Sequence, residues 1–267
     1  MSGDSKEQPN IFYTKGAPLL QAESLLNEGK VKSLYKMANE PDHVYIHFHD
    51  KVTAGNGRRV DFPEDKGKVC CLISALLFEM LETSGIQTHY IDCPSLDTLV
   101  CKKVDIIPIE VVVRNVAAGS IVRQTTIKEG TTFDNPLVEF YLKDDEKDDP
   151  LLTPDRVVLM GYGNDIRQLS FHARAVNAVL KGIFQEIGLT LVDFKLEFGY
   201  DANKNLLLAD ELSPDGMRLW KEGKSFDKDL FRKEEGSIVA VSYTHLRAHE
   251  TPEHRGWPGG GLKKKRG

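Results

Sequence analysis

Cysteine is scarce in this chain. Only Cys70, Cys71, Cys93 and Cys101 occur in 267 residues, and none stands in CxxC spacing. That pattern suggests neither a disulfide framework nor a cysteine zinc site, and a reducing, cytoplasmic setting suits it. Long apolar runs are also missing. No stretch approaches the roughly 18–20 apolar residues of a membrane span, and MSGDSKEQPN is too polar for a secretory signal. The motifs GxxxxGKS/T, GxSxG, HExxH and the Rossmann glycine fingerprint do not occur, which removes several large enzyme classes in their usual form. Excess positive charge is absent as well: the formal net charge is −5. Residues 242–267 carry six Lys/Arg against two Asp/Glu, so residues 1–241 stand at −9. An acidic body argues against nucleic-acid binding, although local lysines can still line a pocket for a small anion.

What is present is pattern. After a polar lead-in, residues 1–18, the stretches GKVKSLYKM and HVYIHFHD alternate in strand fashion across a polar turn at Ala38 to Asp42. GKVCCLISALLFEMLETSG predicts an amphipathic helix stopped at Gly85. Strands are expected around QTHYI, TLVCKKV and IEVVVRNV, and after AAGSIVRQT comes an irregular acidic stretch, KDDEKDDPLLTPD. A second long helix over LSFHARAVNAVLKGIFQEIG should close at Gly188. A charged hairpin follows, LVDFKLEFGYDANKNLLLADELSPDGMRLW, and DKDLFRKEEGSIVAV should open another helix. Strands first, then mixed helices and strands, indicate an α+β fold rather than regular βαβ alternation. A boundary near Pro108 separates residues 19–107 from 108–241. Residues 242–267 show no periodicity; they read as translated adapter sequence joined to a truncated frame, or as a native disordered basic tail. They are left out of the functional argument in both cases.

The hairpin carries the most suggestive charges. Asp193, Lys195 and Glu197 recur every second residue and so share one strand face, opposite Val192, Phe194, Leu196 and Phe198. With the turn centred on Asn203-Lys204, Glu197 would face Asp210 across the ladder, and like charges directly opposed destabilise a sheet. Mg²⁺ between them would relieve this, since it takes one or two carboxylates together with phosphate and water oxygens. A solvent-facing charged strand explains the same pattern equally well. In NEGKVKSLY, Lys30 and Lys32 fall on one face of a short strand behind Gly29. This suits contacts to nucleotide phosphates, but surface lysines on an edge strand are commoner. VVVRNVAAGSIVR runs Arg114 into four small residues, Ala117 to Ser120, which would let backbone approach a phosphate or would simply pack a tight turn. Arg218 follows a Pro-Asp-Gly turn. His47 and His49 lack a third ligand and are expected to be structural, and Cys70-Cys71 to be core packing. The acids from Asp144 to Asp149 form either a solvated loop or a platform for an amine or a metal.

Six stretches, EGKVKSLY, TAGNGRR, EVVVRNVAAGS, KDDEKDDP, LVDFKLEFG and ADELSPDGMRLW, stand in the order and approximate spacing of the SAICAR synthetase (phosphoribosylaminoimidazole-succinocarboxamide synthase) family. The chain resembles that family over residues 19–241. The resemblance implies a fold related to ATP-grasp and kinase-like architecture, with ATP between a β-rich N-terminal domain (19–107) and a larger α/β domain (108–241). It implies an ATP-dependent carbon–nitrogen ligase of de novo purine synthesis. Such an enzyme joins carboxyaminoimidazole ribonucleotide (CAIR) to L-aspartate, giving SAICAR, ADP and phosphate through an acyl phosphate, with Mg²⁺.

By the same resemblance Lys30, Lys32 and Lys195 would contact ATP phosphates, and the backbone of Lys103, Val104, Asp105 and Ile106 the adenine. Glu197 and Asp210 would hold Mg²⁺. Arg114, Ser120, Arg218 and Asp215 would meet the imidazole nucleotide, and Lys195, Lys143 and Asp149 would lie near the reacting centre. No nucleic-acid or membrane partner is implied, and a homo-oligomer is compatible with it. Asn56 stands where many bacterial members have Asp, Cys71 where Asn is common, and the family's C-terminal helix breaks off after Val241. A kinase-like phosphotransferase using the same cleft is the competing expectation, but no HRD or DFG set accompanies it.

Overall fold

Alternating residues build two antiparallel sheets in the computed structural model, which describes residues 11–12, 20–54 and 59–225. The chain starts with β1 (Ile11–Phe12), β2 (Leu20–Glu28), β3 (Lys32–Met37) and β4 (His43–Phe48). A short hairpin of β5 (Val52–Ala54) and β6 (Arg59–Asp61) leads into helix α1 (Lys66–Thr83), followed by β7 (Tyr90–Ser95) and β8 (Thr98–Lys102). The sheet runs β1-β2-β3-β4-β8-β7, so β8 inserts beside β4 and β7 is left at the edge. Helix α1 buries Cys70, Cys71, Ala75, Leu77, Phe78 and Leu81. It gives way at Gly85, whose φ of 82° is open to glycine at little cost.

The chain crosses to the second sheet at residues 103–108, within which lies β9 (Asp105–Ile106). Next come β10 (Ile109–Val116), α2 (Ser120–Gln124), β11 (Thr132–Leu142), β12 (Leu151–Leu152), α3 (Pro154–Val157) and α4 (Asp165–Glu186). The sheet is completed by β13 (Thr190–Tyr200), β14 (Leu206–Ala209), β15 (Met217–Lys221) and β16 (Lys224–Ser225). Its order is β12-β11-β10-β13-β15-β16, with β9 and β14 both pairing with the far end of β13. Helix α4 turns Leu169, Ala173, Val176, Leu180 and Phe184 inward at three- and four-residue spacing. Each large apolar side chain buried this way contributes about 1.5–3 kcal/mol. Phe78 and Leu99 of the first sheet layer share one apolar cluster with Leu180, Phe194, Leu196 and Phe198 of the second. No helix among the described residues is long and apolar enough to cross a membrane.

A polar clasp sits inside this packing. Asn115 of β10 and Asn177 of α4 exchange amide hydrogen bonds of 2.7 and 3.0 Å, and Asn115 also donates to the Leu191 carbonyl at 3.1 Å. Both side chains are buried. Asn177→Leu would leave the Asn115 amide short of a partner, so a loss of about 1–3 kcal/mol is expected, read as a lower urea midpoint at unchanged slope.

The two long helices and the strands of β4, β8, β10 and β13 lie where periodicity puts them. Several strands fall outside the expected stretches, β11 and β2 being the longest of them. β11 carries Asp134, Asn135 and Pro136 in its first half, and of its eleven residues only Phe140 and Tyr141 are buried, so alternation is blurred. β2 is exposed along Ser24–Glu28, so no inward-facing apolar face marks it there. The helix expected over residues 227–241, the tail 242–267, Asn56 and most of the lead-in lie outside the described residues.

Candidate active site

Strand β13 organises the charged side chains. Asp193, Lys195 and Glu197 alternate along it as the spacing predicts, but this face is covered rather than solvated: Asp193 and Glu197 are each 3% exposed. Lys195 donates to Glu110 at 2.7 Å and to Glu197 at 2.9 Å, and Lys143 also donates to Glu197. Lys32, the first residue of β3, reaches from the other sheet to Asp210 at 2.5 Å and Glu211 at 3.0 Å. Ser213 steadies Glu211, its hydroxyl donating at 2.5 Å. Lys32, Lys143 and Lys195 thus meet Glu110, Glu197, Asp210 and Glu211 where the two sheets face each other.

The electrostatics of this cluster are set by mutual compensation. Burial pushes the Asp210 carboxyl up, but Lys32, Lys195 and Lys143 outweigh it and hold the group well below the usual carboxylate range. Burial alone would lower Lys32 and Lys195; Asp210 and Glu211 around the first, and Glu197, Asp210 and Glu110 around the second, raise both above an ordinary lysine. Glu110 goes the other way, with burial raising its carboxyl against the pull of Lys195. Lys32, Lys195 and Asp210 therefore stay charged at neutral pH.

One expected juxtaposition is corrected. Glu197 pairs with Ala209 across the ladder, not with Asp210. The loop between β13 and β14 spans five residues, 201–205, in which Asp201 accepts the Asn203 and Asn205 amides at 2.9 and 2.8 Å. The ladder is therefore centred on Asn203, half a residue from the Asn203-Lys204 midpoint, and every partner shifts by one residue. Asp210 then leaves the strand with φ 66°, a left-handed conformation that Asp adopts more readily than most residues.

A second cluster lies four residues back along β13, roughly 13 Å away at the rise of a strand. Arg114, opposite Asp193 in the β10–β13 pairing, is 3% exposed. Its Nε donates to Glu139 at 2.6 Å; Nη1 donates to Asp193 at 2.6 Å and the Ala118 carbonyl at 3.3 Å; Nη2 donates to Ser120 at 2.7 Å and Tyr141 at 3.2 Å. All five N–H donors of the guanidinium are engaged. Arg218, from β15, grips both oxygens of the same Asp193 at 3.0 and 2.8 Å. Gly119 lies against that guanidinium. A Cβ there would stand 2.7 Å from Nη2, and its φ of 68° already favours glycine.

Other expected residues fall in distinct places. Lys30 lies in the turn before β3 rather than on the strand face with Lys32, because β3 begins only at Lys32. It lines a cleft of about 330 Å³ with Glu28, Gly29, His49, Asp50, Lys51 and Phe62. Lys103, Val104, Asp105 and Ile106 form the crossing between sheets, with Lys103 N–H bonded to the Asp42 carbonyl at 2.7 Å and β9 laid against Gly199 and Tyr200. Asp149 does not point to a partner across the site; its carboxylate accepts the Asp144 amide at 2.9 Å and closes the loop that follows Lys143. Asp215 pairs with Lys66, the first residue of α1, and the two are 6% and 1% exposed. His47 and His49 hydrogen-bond Thr98 and Ser33, and Cys70 and Cys71 are fully buried in the core.

Sequence reasoning missed Lys66, Glu110, Asp193 as an arginine clamp, Glu139 and Glu211. Glu110 shares the period-two face of Arg114, and Glu211 adjoins Asp210, so both had a signal. Lys66, a lone lysine ahead of an apolar helix, had none.

A family model for SAICAR synthetase matches residues 25–247. The chain belongs to the SAICAR synthetase family. A phosphoribosylaminoimidazole-succinocarboxamide synthase of Synechocystis is 48% identical over 227 residues, covering 82% of this chain and 86% of that protein. The crystal structure of the enzyme from Ehrlichia chaffeensis superposes with a TM-score of 0.80 at 36% identity, over 84% of this chain and 97% of that one. A SAICAR synthetase solved in complex with ADP gives 0.79 at 36% identity, over 84% and 96%. The α+β fold is therefore that of SAICAR synthetases, and the chain is a SAICAR-forming, ATP-dependent ligase of purine biosynthesis.

Proposed function

We propose that the two charged clusters along β13 divide the ligase reaction between them, the lysine–carboxylate cluster taking Mg-ATP and the arginine cluster the phosphate of CAIR. The observation that carries this reading is the meeting of Lys32, Lys143 and Lys195 with Glu197 and Asp210 between two sheets. A carboxylate oxygen is a poor leaving group, so an amine cannot displace it at neutral pH. In the proposed sequence the CAIR carboxylate oxygen bonds to the terminal phosphorus of ATP and ADP leaves. The aspartate nitrogen then bonds to the acyl carbon, phosphate departs, and the amine gives up a proton.

The carboxylates suit Mg²⁺, a hard cation that needs only one or two protein oxygens when phosphates supply the rest. Glu197 and Asp210 would hold the ion, which when bound neutralises charge on the transferring phosphoryl group. Lys32, Lys195 and Lys143, which now bond to the carboxylates, are the cations that phosphate oxygens would draw. Lys30 would cover the phosphates from its turn, and the backbone of 103–106 would meet the adenine edge. Asp149 fixes the loop that carries Lys143.

In the second cluster Arg218 is the better phosphate ligand. Arg114, with its donors engaged, would act mainly by holding Asp193, Ser120 and the 117–120 turn in place; Asp215 would border the nucleotide from the adjoining turn. Residues 19–107 would form the ATP-binding lobe, and the chain from residue 108 on the lobe for substrate and Mg-ATP. We further assign the enzyme to the cytoplasm, and leave room for a homo-oligomer.

Gly119→Ala tests the arginine cluster. The added methyl would push the Arg218 guanidinium aside, and a displacement near 1 Å costs on the order of 10- to 100-fold. The loss is expected in KM for CAIR, with KM for ATP unchanged. The overall assignment is tested by ADP release. It should require CAIR, L-aspartate and Mg²⁺ together and yield an amide by mass spectrometry. Equal ATP consumption without aspartate, or a stable phosphoester product, would sink it.

A further inference from the structure

Two of the four thiols lie in contact away from both charged clusters. Cys71 Sγ on α1 is 3.8 Å from Cys93 Sγ on β7. The Cys93 thiol donates to the Ser95 carbonyl at 3.1 Å, which leaves its sulfur lone pairs towards Cys71. Cys71 is fully buried, whereas Cys93 at the edge strand is only partly buried. Bond formation needs the sulfurs to close to about 2.05 Å. The local backbone suits that movement, because β7 is an edge strand and its pairing with β8 slips both between Tyr90 and Asp92 and between Asp92 and Ser95. Cys93 sits inside the second slip, where no ladder partner fixes it.

We propose that Cys71 and Cys93 form a peroxide-sensitive dithiol that closes to a disulfide joining α1 to β7. In the first step the Cys93 sulfur attacks hydrogen peroxide. An S–O bond forms, the O–O bond breaks, water is released, and Cys93 becomes a sulfenic acid. The Cys71 sulfur then attacks Cys93, the S–S bond forms, the S–O bond breaks and a second water leaves. Two thiols and one peroxide thus give one disulfide and two waters. The Cys93 hydrogen bond and burial both raise the Cys71 thiol, which suits Cys71 to resolve the sulfenic acid rather than to meet peroxide first. Bridging residues 22 apart in sequence also restricts the unfolded chain and stabilises the fold.

The test uses the full reduced chain treated with hydrogen peroxide. Thiols counted in denaturant should fall from four to two, and non-reducing peptide mapping should link Cys71 to Cys93. The melting temperature should rise by about 5 °C and return with dithiothreitol. In Cys93→Ser all three remaining thiols should survive and the melting temperature should not move. In Cys71→Ala the Cys93 sulfenic acid should accumulate and be trapped by dimedone. If Cys71→Ala fails to fold, Cys93→Ser still decides. Four surviving thiols in the treated parent chain, or a link through Cys70 or Cys101, would overturn the proposal.

Discussion

Glu197→Gln and Asp210→Asn should each lower turnover by about 100- to 1000-fold, with the fold intact. Both changes keep shape and hydrogen bonding while removing one negative charge from a cluster built of opposed charges. Glu197 accepts from Lys143 and Lys195, and a glutamine carbonyl can still accept from either. Asp210 occupies left-handed backbone at φ 66°, where Asn is at least as comfortable as Asp. Lys32 keeps Glu211 and Lys195 keeps Glu110 in these variants, so the stability cost should be smaller than that of breaking a lone buried pair, and thermal melting by circular dichroism checks that. Turnover measured across an Mg²⁺ titration isolates the metal role, because a weakened site should recover partly at high Mg²⁺. Turnover close to the parent in either variant removes that residue from the metal site.

Lys66→Met should have the largest effect on stability. The Lys66–Asp215 pair joins the start of α1 to the turn before β15 and is almost entirely inaccessible. Burial disfavours the Lys66 ammonium, yet neighbouring negative charge, Asp215 and Glu211 included, raises its pKa above the ordinary lysine value. Methionine fills the same space but leaves Asp215 without its cation, which costs about 3–5 kcal/mol for a buried pair. Total stabilities are commonly about 5–15 kcal/mol, so the urea midpoint should drop sharply. Adding Asp215→Leu should restore part of the loss, since the double change removes both charges. A midpoint unchanged in Lys66→Met would mean that water reaches the pair.

Most of the architecture was legible because burial follows period. Helices α1 and α4, and the run Val111, Val113 and Phe194 to Phe198, announce their inner faces by spacing. β11 did not, because polar residues and Pro136 interrupt its first half. The site was legible as a set of residue types rather than as a geometry. Alternation placed Asp193, Lys195 and Glu197 on one face, but it could not show that Asp193 serves the arginines while Glu197 serves the lysines. The expected pairing of Glu197 with Asp210 failed by one residue because Asp201 caps a five-residue loop. Lys66 was invisible because its partner is 149 positions away. Contacts between distant segments leave no period in the sequence, and such contacts built the centre of this site.

The most direct measurement follows oxygen. CAIR labelled with heavy oxygen in its carboxylate should hand one label to inorganic phosphate as SAICAR forms, because ATP must phosphorylate that oxygen before aspartate displaces it. Phosphate free of label, with SAICAR still produced, would contradict carboxylate activation at the β13 cluster.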